Sequence, residues 1–225
     1  ELFYGPTLAF KDYALQFLGN LFSYLLKNKS NKITIVGATS GDTGSAAIEA
    51  FKGKENINIF ILHPHNKVSE VQRRQMTTNL EDNVYNIALQ GTFDDCQKIV
   101  KNLFIDKELQ EITSLTAINS INWARLMSQI VYYFWAYLQL GESKVSFIVP
   151  SGNFGNIFSA RIAKHMGLPI KSLNIVTNQN DVLHKIISTG EIKKNKVQET
   201  YSPSMDIQIS SNFERQIFES LNNDS

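Results

Sequence analysis

Cysteine, net charge and long apolar runs are all scarce in this sequence of 225 residues. The lone Cys96 excludes an internal disulfide framework and fits a reducing compartment. With 22 Lys+Arg against 21 Asp+Glu, no global field favours nucleic acid or an anionic membrane, and neither is expected as a partner. No apolar run approaches the roughly 18 residues that a membrane-crossing helix needs, so a soluble chain is expected. The four histidines, His63, His65, His165 and His184, match no metal-ligand spacing, so no metal is expected and surface or capping roles are assigned to them. There is no initiating Met, no signal segment, no internal repeat and no low-complexity tract. The chain reads as the middle of a longer polypeptide, incomplete at both ends. By itself it is expected to be weakly stable and inactive. A cytoplasmic location is expected, and any organelle-targeting segment would precede Glu1.

What is present is an alternation of strand and helix patterns. A helix from Asp12 is marked by Ala14, Phe17, Leu18, Leu21, Phe22 and Leu25 at spacings of three and four. Strands are predicted over 33–36, 57–62, 84–89, 145–149 and 173–176. Helices are predicted over 45–51, from a Ser69/Gln72 capping box through Met76, around Cys96 to Phe104, over 122–140, from the end of the 150–156 loop to Met166, and near 181–187. Apolar residues on nearly every side of the 122–140 helix predict that it is buried on most faces. Residues 189–204 read as a polar surface loop. Glu214 and Arg215 read as an ion pair in a capped first turn. The pattern predicts an α/β fold with a parallel sheet covered on both faces and a boundary before the long helix, dividing the chain into residues 1–120 and 121–225.

Three stretches bear chemistry. Lys11 follows Gly5-Pro6-Thr7-Leu8-Ala9-Phe10 at a helix start among apolar side chains. Burial there lowers a lysine's affinity for its proton and makes it nucleophilic; the alternative is a lysine whose stem lies on apolar surface with its head in water. Residues 37–44 join a strand to a helix with small residues and the hydroxyls of Thr39, Ser40 and Thr43. That composition suits either an anion site or a tight connection capped by Ser40 or Asp42. Its spacing is neither a dinucleotide fingerprint nor a P-loop. Residues 150–156 repeat the arrangement, with Gly152 and Gly155 freeing backbone amides and Asn153 or Asn156 available as a cap. Two such turns on one sheet beside a lysine suggest a ligand with two anionic ends.

Together with Ser120-Ile121-Asn122-Trp123-Ala124-Arg125, Pro203-Ser204-Met205-Asp206-Ile207 and Ser211-Asn212-Phe213-Glu214-Arg215, these stretches resemble the fold-type II pyridoxal-phosphate enzymes, and among them the threonine synthase family of the longer type. The resemblance covers nearly the whole chain. It implies a three-layer, tryptophan synthase beta-like fold, pyridoxal 5'-phosphate as cofactor, and O-phospho-L-homoserine as a small-molecule substrate turned into L-threonine and phosphate by a monomer or homodimer. It implies that residues 1–120 belong to the smaller domain and residues 121–225 to the larger. Residue by residue, Lys11 matches the Schiff-base lysine. Ser151, Gly152, Asn153, Phe154, Gly155 and Asn156 match the cofactor phosphate loop, and Thr39, Ser40, Gly41 and Thr43 the substrate carboxylate loop. Asn122 and Arg125 match positions near the substrate's own phosphate; an Arg on a mostly buried helix can equally pair with a structural carboxylate. Asp42 stands where many relatives carry an asparagine facing the cofactor's ring hydroxyl, and an acid is the poorer donor. A phospho-lyase releasing 2-oxobutyrate and a non-catalytic pyridoxal- or phosphate-binding protein are the rival readings.

Overall fold

The computed structural model describes residues 4–29, 32–193 and 196–221. It divides into two compact units, residues 1–119 and 120–225. In the first, α1 (Lys11–Leu26), β1 (Ile33–Ala38), α2 (Asp42–Phe51), β2 (Ile57–Pro64), α3 (Glu70–Thr77), β3 (Val84–Leu89), α4 (Phe93–Ile105), α5 (Lys107–Ile112) and β4 (Ser114–Ala117) follow in order. The strands form one parallel sheet ordered β3-β2-β1-β4. Side chains alternate across a strand, so Val36, Phe60 and Leu62 point to one face, where Cys96, Val100 and Leu103 of α4 cover them. Ile35, Ile59 and Ile61 point to the other, are buried, and lie on the side of α2, against which α1 packs. Helices therefore cover both faces, as the alternating pattern predicts.

Local chemistry sets the element boundaries. Ser69 accepts from the Gln72 N–H at the head of α3, and Thr92 with Asp95 forms a capping box at the head of α4. Helix α2 starts at Asp42, three residues earlier than the apolar pattern suggests, because the Thr39 hydroxyl oxygen accepts from the N–H groups of Gly41 and Gly44. α5 and β4 are not foreseen: six and four residues are too few to display a period.

The second unit runs α6 (Trp123–Leu140), β5 (Val145–Pro150), α7 (Gly155–His165), β6 (Ile170–Val176), α8 (Val182–Thr189) and α9 (Phe213–Ser220). β5 and β6 pair in parallel as a separate two-stranded sheet. The two glycine turns thus follow strands of different sheets, not of one. A core of Leu126, Ile130, Tyr133, Val149, Phe158 and Leu183 fills one face of this sheet, whereas Ser146, Ile148 and Pro150 on the other are exposed. α6 is not buried on most faces: Trp123, Met127, Val131, Trp135 and Leu138 form an exposed stripe, with Val131 62% and Trp135 53% accessible. Hydrophobicity all round a helix does not reveal which side is packed; here Leu126, Ile130 and Tyr133 are. The polar loop after α8 has one 3-10 turn, Pro203–Met205; its residues 194 and 195 lie outside the described residues. Arg215 makes no ion pair with Glu214 but donates to the Ile121 carbonyl (2.8 Å) and lies over the Trp123 ring (5.8 Å). Among the described residues no helix is long and apolar enough to cross a membrane.

Candidate active site

In the first unit the approach to Lys11 is held by a buried acid. Asp12, fully inaccessible, accepts from the Thr7 N–H (2.9 Å), the Thr7 hydroxyl and the Ala9 N–H (3.3 Å). Three donors pin the loop that delivers Lys11 to the first position of α1, and the loop includes Leu8 in the left-handed region (φ 58°). The Lys11 ammonium does not lie in an apolar pocket. Its side chain, 14% exposed, meets Asp42 Oδ2 at 3.4 Å, and Asp42 Oδ1 accepts from Gln72 Nε2. Here the burial expected at Lys11 is joined by an ion pair with a carboxylate. Asp42 acts as an acceptor on both oxygens, as its chemistry requires. A cleft of about 420 Å³ opens here, lined by Thr7, Leu8, Phe10, Asp42, Ser45 and Gln72 among others.

Beside it, residues 39–43 form the corner between β1 and α2. Gly41 takes φ 145° and a Cβ there would collide with the Gln72 side chain, so only glycine fits. The Thr39 side chain is turned inward, 2% exposed, and shapes the corner instead of offering its oxygen to a ligand. Among the described residues the N–H groups of Ser40, Asp42 and Thr43 have no hydrogen-bond acceptor, at the positive end of α2. Lys11, Ser40, Gly41, Asp42 and Thr43 are therefore brought together.

The second corner is built on Ser151 and Asn156. Ser151 Oγ accepts from the Phe154 N–H (3.1 Å) and donates to Asn156 Oδ1 (2.7 Å), and Asn156 Nδ2 returns to the Pro150 carbonyl (2.7 Å). Asn153 Nδ2 donates to Ser120 Oγ. Phe154 is held at φ 67°, a conformation a bulky residue rarely adopts, by burial of its ring edge-on to Phe213 at 5.0 Å. The N–H groups of Gly152, Asn153, Gly155 and Asn156 have no acceptor among the described residues. Four convergent amides at a helix N-terminus suit a phosphate.

On α6, Asn122 caps the helix, its Oδ1 accepting from the Ala124 (3.0 Å) and Arg125 (3.3 Å) N–H groups, which leaves its amide nitrogen as the donor for a ligand. Arg125 is 2% exposed, and its Nε and Nη1 have no hydrogen-bond partner. Burial pulls its pKa down to about 10, so it stays charged at neutral pH, and among the described residues no carboxylate forms an ion pair with it. Such an uncompensated cation costs several kcal/mol unless an anion arrives, on the order given for buried ions.

His63, expected in a surface or capping role, is instead 3% exposed near the end of β2, on the face of Ile59 and Ile61, with no hydrogen-bond partner for either ring nitrogen among the described residues. Burial there holds its pKa below the ordinary value. The sequence showed no signal for this beyond its place at a strand end. The part that Asp12 and Gln72 play in building the site is equally invisible in the sequence, where each reads as an ordinary helix-start residue.

The model of the pyridoxal-phosphate dependent enzyme family matches residues 1–225. The chain belongs to that family. It is 57% identical over 221 residues to the threonine synthase of Pseudomonas aeruginosa, covering 97% of this chain and 47% of that protein. It is 51% identical over 228 residues to that of Saccharomyces cerevisiae, covering 96% and 44%. A crystal structure of pyridoxal-phosphate-bound threonine synthase from Brucella melitensis superimposes with a TM-score of 0.93 at 55% identity, over 100% of this chain and 49% of that one. The Escherichia coli threonine synthase structure gives 0.87 at 38% identity, over 99% and 52%. The chain spans about half the length of the relatives it matches. Its α/β architecture is that of fold type II within the pyridoxal-phosphate family, and the donors of residues 151–156 fit the cofactor's phosphate.

Proposed function

We propose that the full-length protein is a threonine synthase that converts O-phospho-L-homoserine and water into L-threonine and phosphate. The observation that carries the substrate assignment is Arg125: a buried guanidinium whose Nε and Nη1 have no hydrogen-bond partner among the described residues, while this reading gives the cofactor's phosphate to residues 151–156. A second anion is called for, and the substrate's γ-phosphate provides it. The kinship with named threonine synthases supports the same choice.

In this reading the Lys11 amine holds pyridoxal phosphate, and residues 151–156 take its phosphate through the amides of Gly152, Asn153, Gly155 and Asn156, with Ser151 and Phe154 fixing their aim. The bound cofactor supplies an electron sink for the carbons next to the substrate nitrogen. The amides of Ser40 and Thr43 and the turn at Gly41 receive the substrate carboxylate; Thr39 orders that corner from behind. Lys11, once free of Asp42 and of the cofactor, is the base that takes the α-proton and returns protons at later steps. Arg125 and the Asn122 amide, with Lys11, stabilise the departing phosphate dianion. Asp42 acts on Lys11 as an acceptor and is not a donor to the cofactor ring. Residues 1–120 would then be the portion of the smaller domain bearing the lysine, and residues 121–225 part of the larger one. The buried free Cys96 accords with a cytoplasmic enzyme, which we take to work as a monomer or homodimer on a small-molecule substrate.

The test is product analysis on the full-length protein with pyridoxal phosphate and O-phospho-L-homoserine, with a Lys11→Ala control. Phosphate and threonine should appear in equal amounts, and the control should lose at least about 10²-fold, as for removal of a catalytic base. Release of 2-oxobutyrate in place of threonine would establish a phospho-lyase, and turnover unaffected by Lys11→Ala would refute the site.

A further inference from the structure

Two motifs remain without a role, residues 203–207 and 211–215. The segment that contains them has little regular structure, yet it is tied down by side chains. Asp206 Oδ1 accepts from the Thr200 hydroxyl (2.7 Å), Asn178 Nδ2 (2.8 Å) and Asn180 Nδ2 (3.0 Å), and its Oδ2 accepts from the Thr200 N–H (2.8 Å). Asn178 and Asn180 lie just beyond β6, and Asn180 is 2% exposed. One carboxylate thus fastens the turn at residues 203–207 to the end of the sheet strand next to β5.

That turn rests on the phosphate loop. A Cβ added to Gly152 would lie 3.1 Å from Ile207 Cγ1 and 3.4 Å from the Met205 Cα, so loop and turn are in close contact. Five residues on, the same segment touches the loop again. Asn212, fully buried, donates its N–H to the Asn153 carbonyl (3.2 Å) and its Nδ2 to Asn153 Oδ1 (3.1 Å) and the Ser120 carbonyl (3.0 Å). A Cβ on Gly155 would come within 3.0 Å of that Nδ2. Both glycines whose amides are free for a ligand are therefore backed by one segment, and Phe213, from the same segment, holds the strained Phe154 ring between them.

We propose that Asp206 is a positioning residue for the cofactor's phosphate: it locks residues 200–207 into a brace whose Ile207 face, with Asn212, keeps the amides of Gly152, Asn153 and Gly155 converged. The inference rests on the reading of residues 151–156 as the phosphate loop. Donors aimed by rigid support need no reorganisation on binding; the same donors on a loose loop do, and misplacement of about 1 Å is enough to cost on the order of 10²-fold.

The experiment compares two probes, pyridoxal phosphate and pyridoxal, titrated by absorbance into the full-length apoprotein. Both react with Lys11, but only the first has a phosphate. Wild type should prefer pyridoxal phosphate strongly. Asp206→Asn should weaken pyridoxal phosphate about tenfold or more and leave pyridoxal within about twofold, as expected for a loss confined to the loop. Ile207→Ala keeps the Asp206 hydrogen bonds and should reduce the preference about threefold; it carries the test if circular dichroism shows that Asp206→Asn does not fold. Equal weakening of both probes would mean general destabilisation and overturn the proposal. A wild-type preference that survives intact in the folded variants would overturn the brace alone, whereas a wild type without preference would take down the phosphate-loop reading and the brace together.

Discussion

Replacing Arg125 with methionine should make the cofactor-loaded protein more stable and blind to phosphate. The perturbation removes a charge and keeps most of the volume. Burial lowers the guanidinium pKa from 12.5 to about 10, which corresponds to roughly 3 kcal/mol of penalty on the charged form. Nε and Nη1 recover none of it through hydrogen bonds, and the charge is 2% exposed. Exchange of buried charge for a well-packed apolar side chain typically returns about 1–4 kcal/mol, so Arg125→Met is expected to gain about 2 kcal/mol in phosphate-free buffer. The assay is urea denaturation of both proteins with pyridoxal phosphate bound, so that the cofactor loop is already filled, with and without added inorganic phosphate. Wild type should gain about 2.7 kcal/mol when phosphate stands at a hundred times its dissociation constant, and the variant should gain nothing. The variant should also lose turnover of O-phospho-L-homoserine. A fall in stability on substitution, with equal stabilisation of both proteins by phosphate, would show that Arg125 is a paired structural cation and refute the reasoning.

His63 gives a pH signature. Its folded pKa is depressed by burial, with His65 and Arg73 adding like charge, so the folded form stays neutral while the unfolded chain takes up a proton. Stability is therefore complete above about pH 6.5 and declines as pH falls from there toward the folded-state pKa, by at most about 1.4 kcal/mol per pH unit; His63→Phe should remove that slope from urea midpoints measured at pH 7.5 and 5.5. Gly41→Ala forces a Cβ into Gln72 at φ 145° and should cost about 1–3 kcal/mol, read as a lowered urea midpoint. Asp12→Asn leaves donors of the Thr7–Ala9 loop without their carboxylate and should cost about 1–3 kcal/mol, with slower borohydride-trapped labelling of Lys11 by pyridoxal as the site-specific readout.

What the sequence reveals of this molecule, and what it hides, follows from the range of the interactions involved. Periodicity is local, and it places the strands of six or more residues and the long helices: β3 and α6 fall within a residue of their predicted ends. A four-residue strand and a six-residue helix of fewer than two turns hold too few side chains to display a period, which is why β4 and α5 go unseen. Pattern also fails where it is uniform. α6 is apolar on every side, and only packing distinguishes Leu126, which is buried, from Trp135, which is not. The two glycine turns are legible because glycines, hydroxyls and a following helix lie in one short stretch. The state of Lys11 is not, because it depends on Asp42, 31 residues away, and on Gln72, another 30 beyond that. The same holds for Asp206, whose motif is visible although its partners at 178, 180 and 200 are not. The sequence thus names the groups that can bind and react, while their charge state and their rigidity are set by contacts the fold alone brings about. Lys11 shows the consequence most directly. Read from its neighbours in sequence it is either an amine made nucleophilic by apolar surroundings or a lysine with its head in water, but in the folded unit its Nζ meets Asp42 Oδ2 at 3.4 Å, and becoming a nucleophile requires breaking that ion pair.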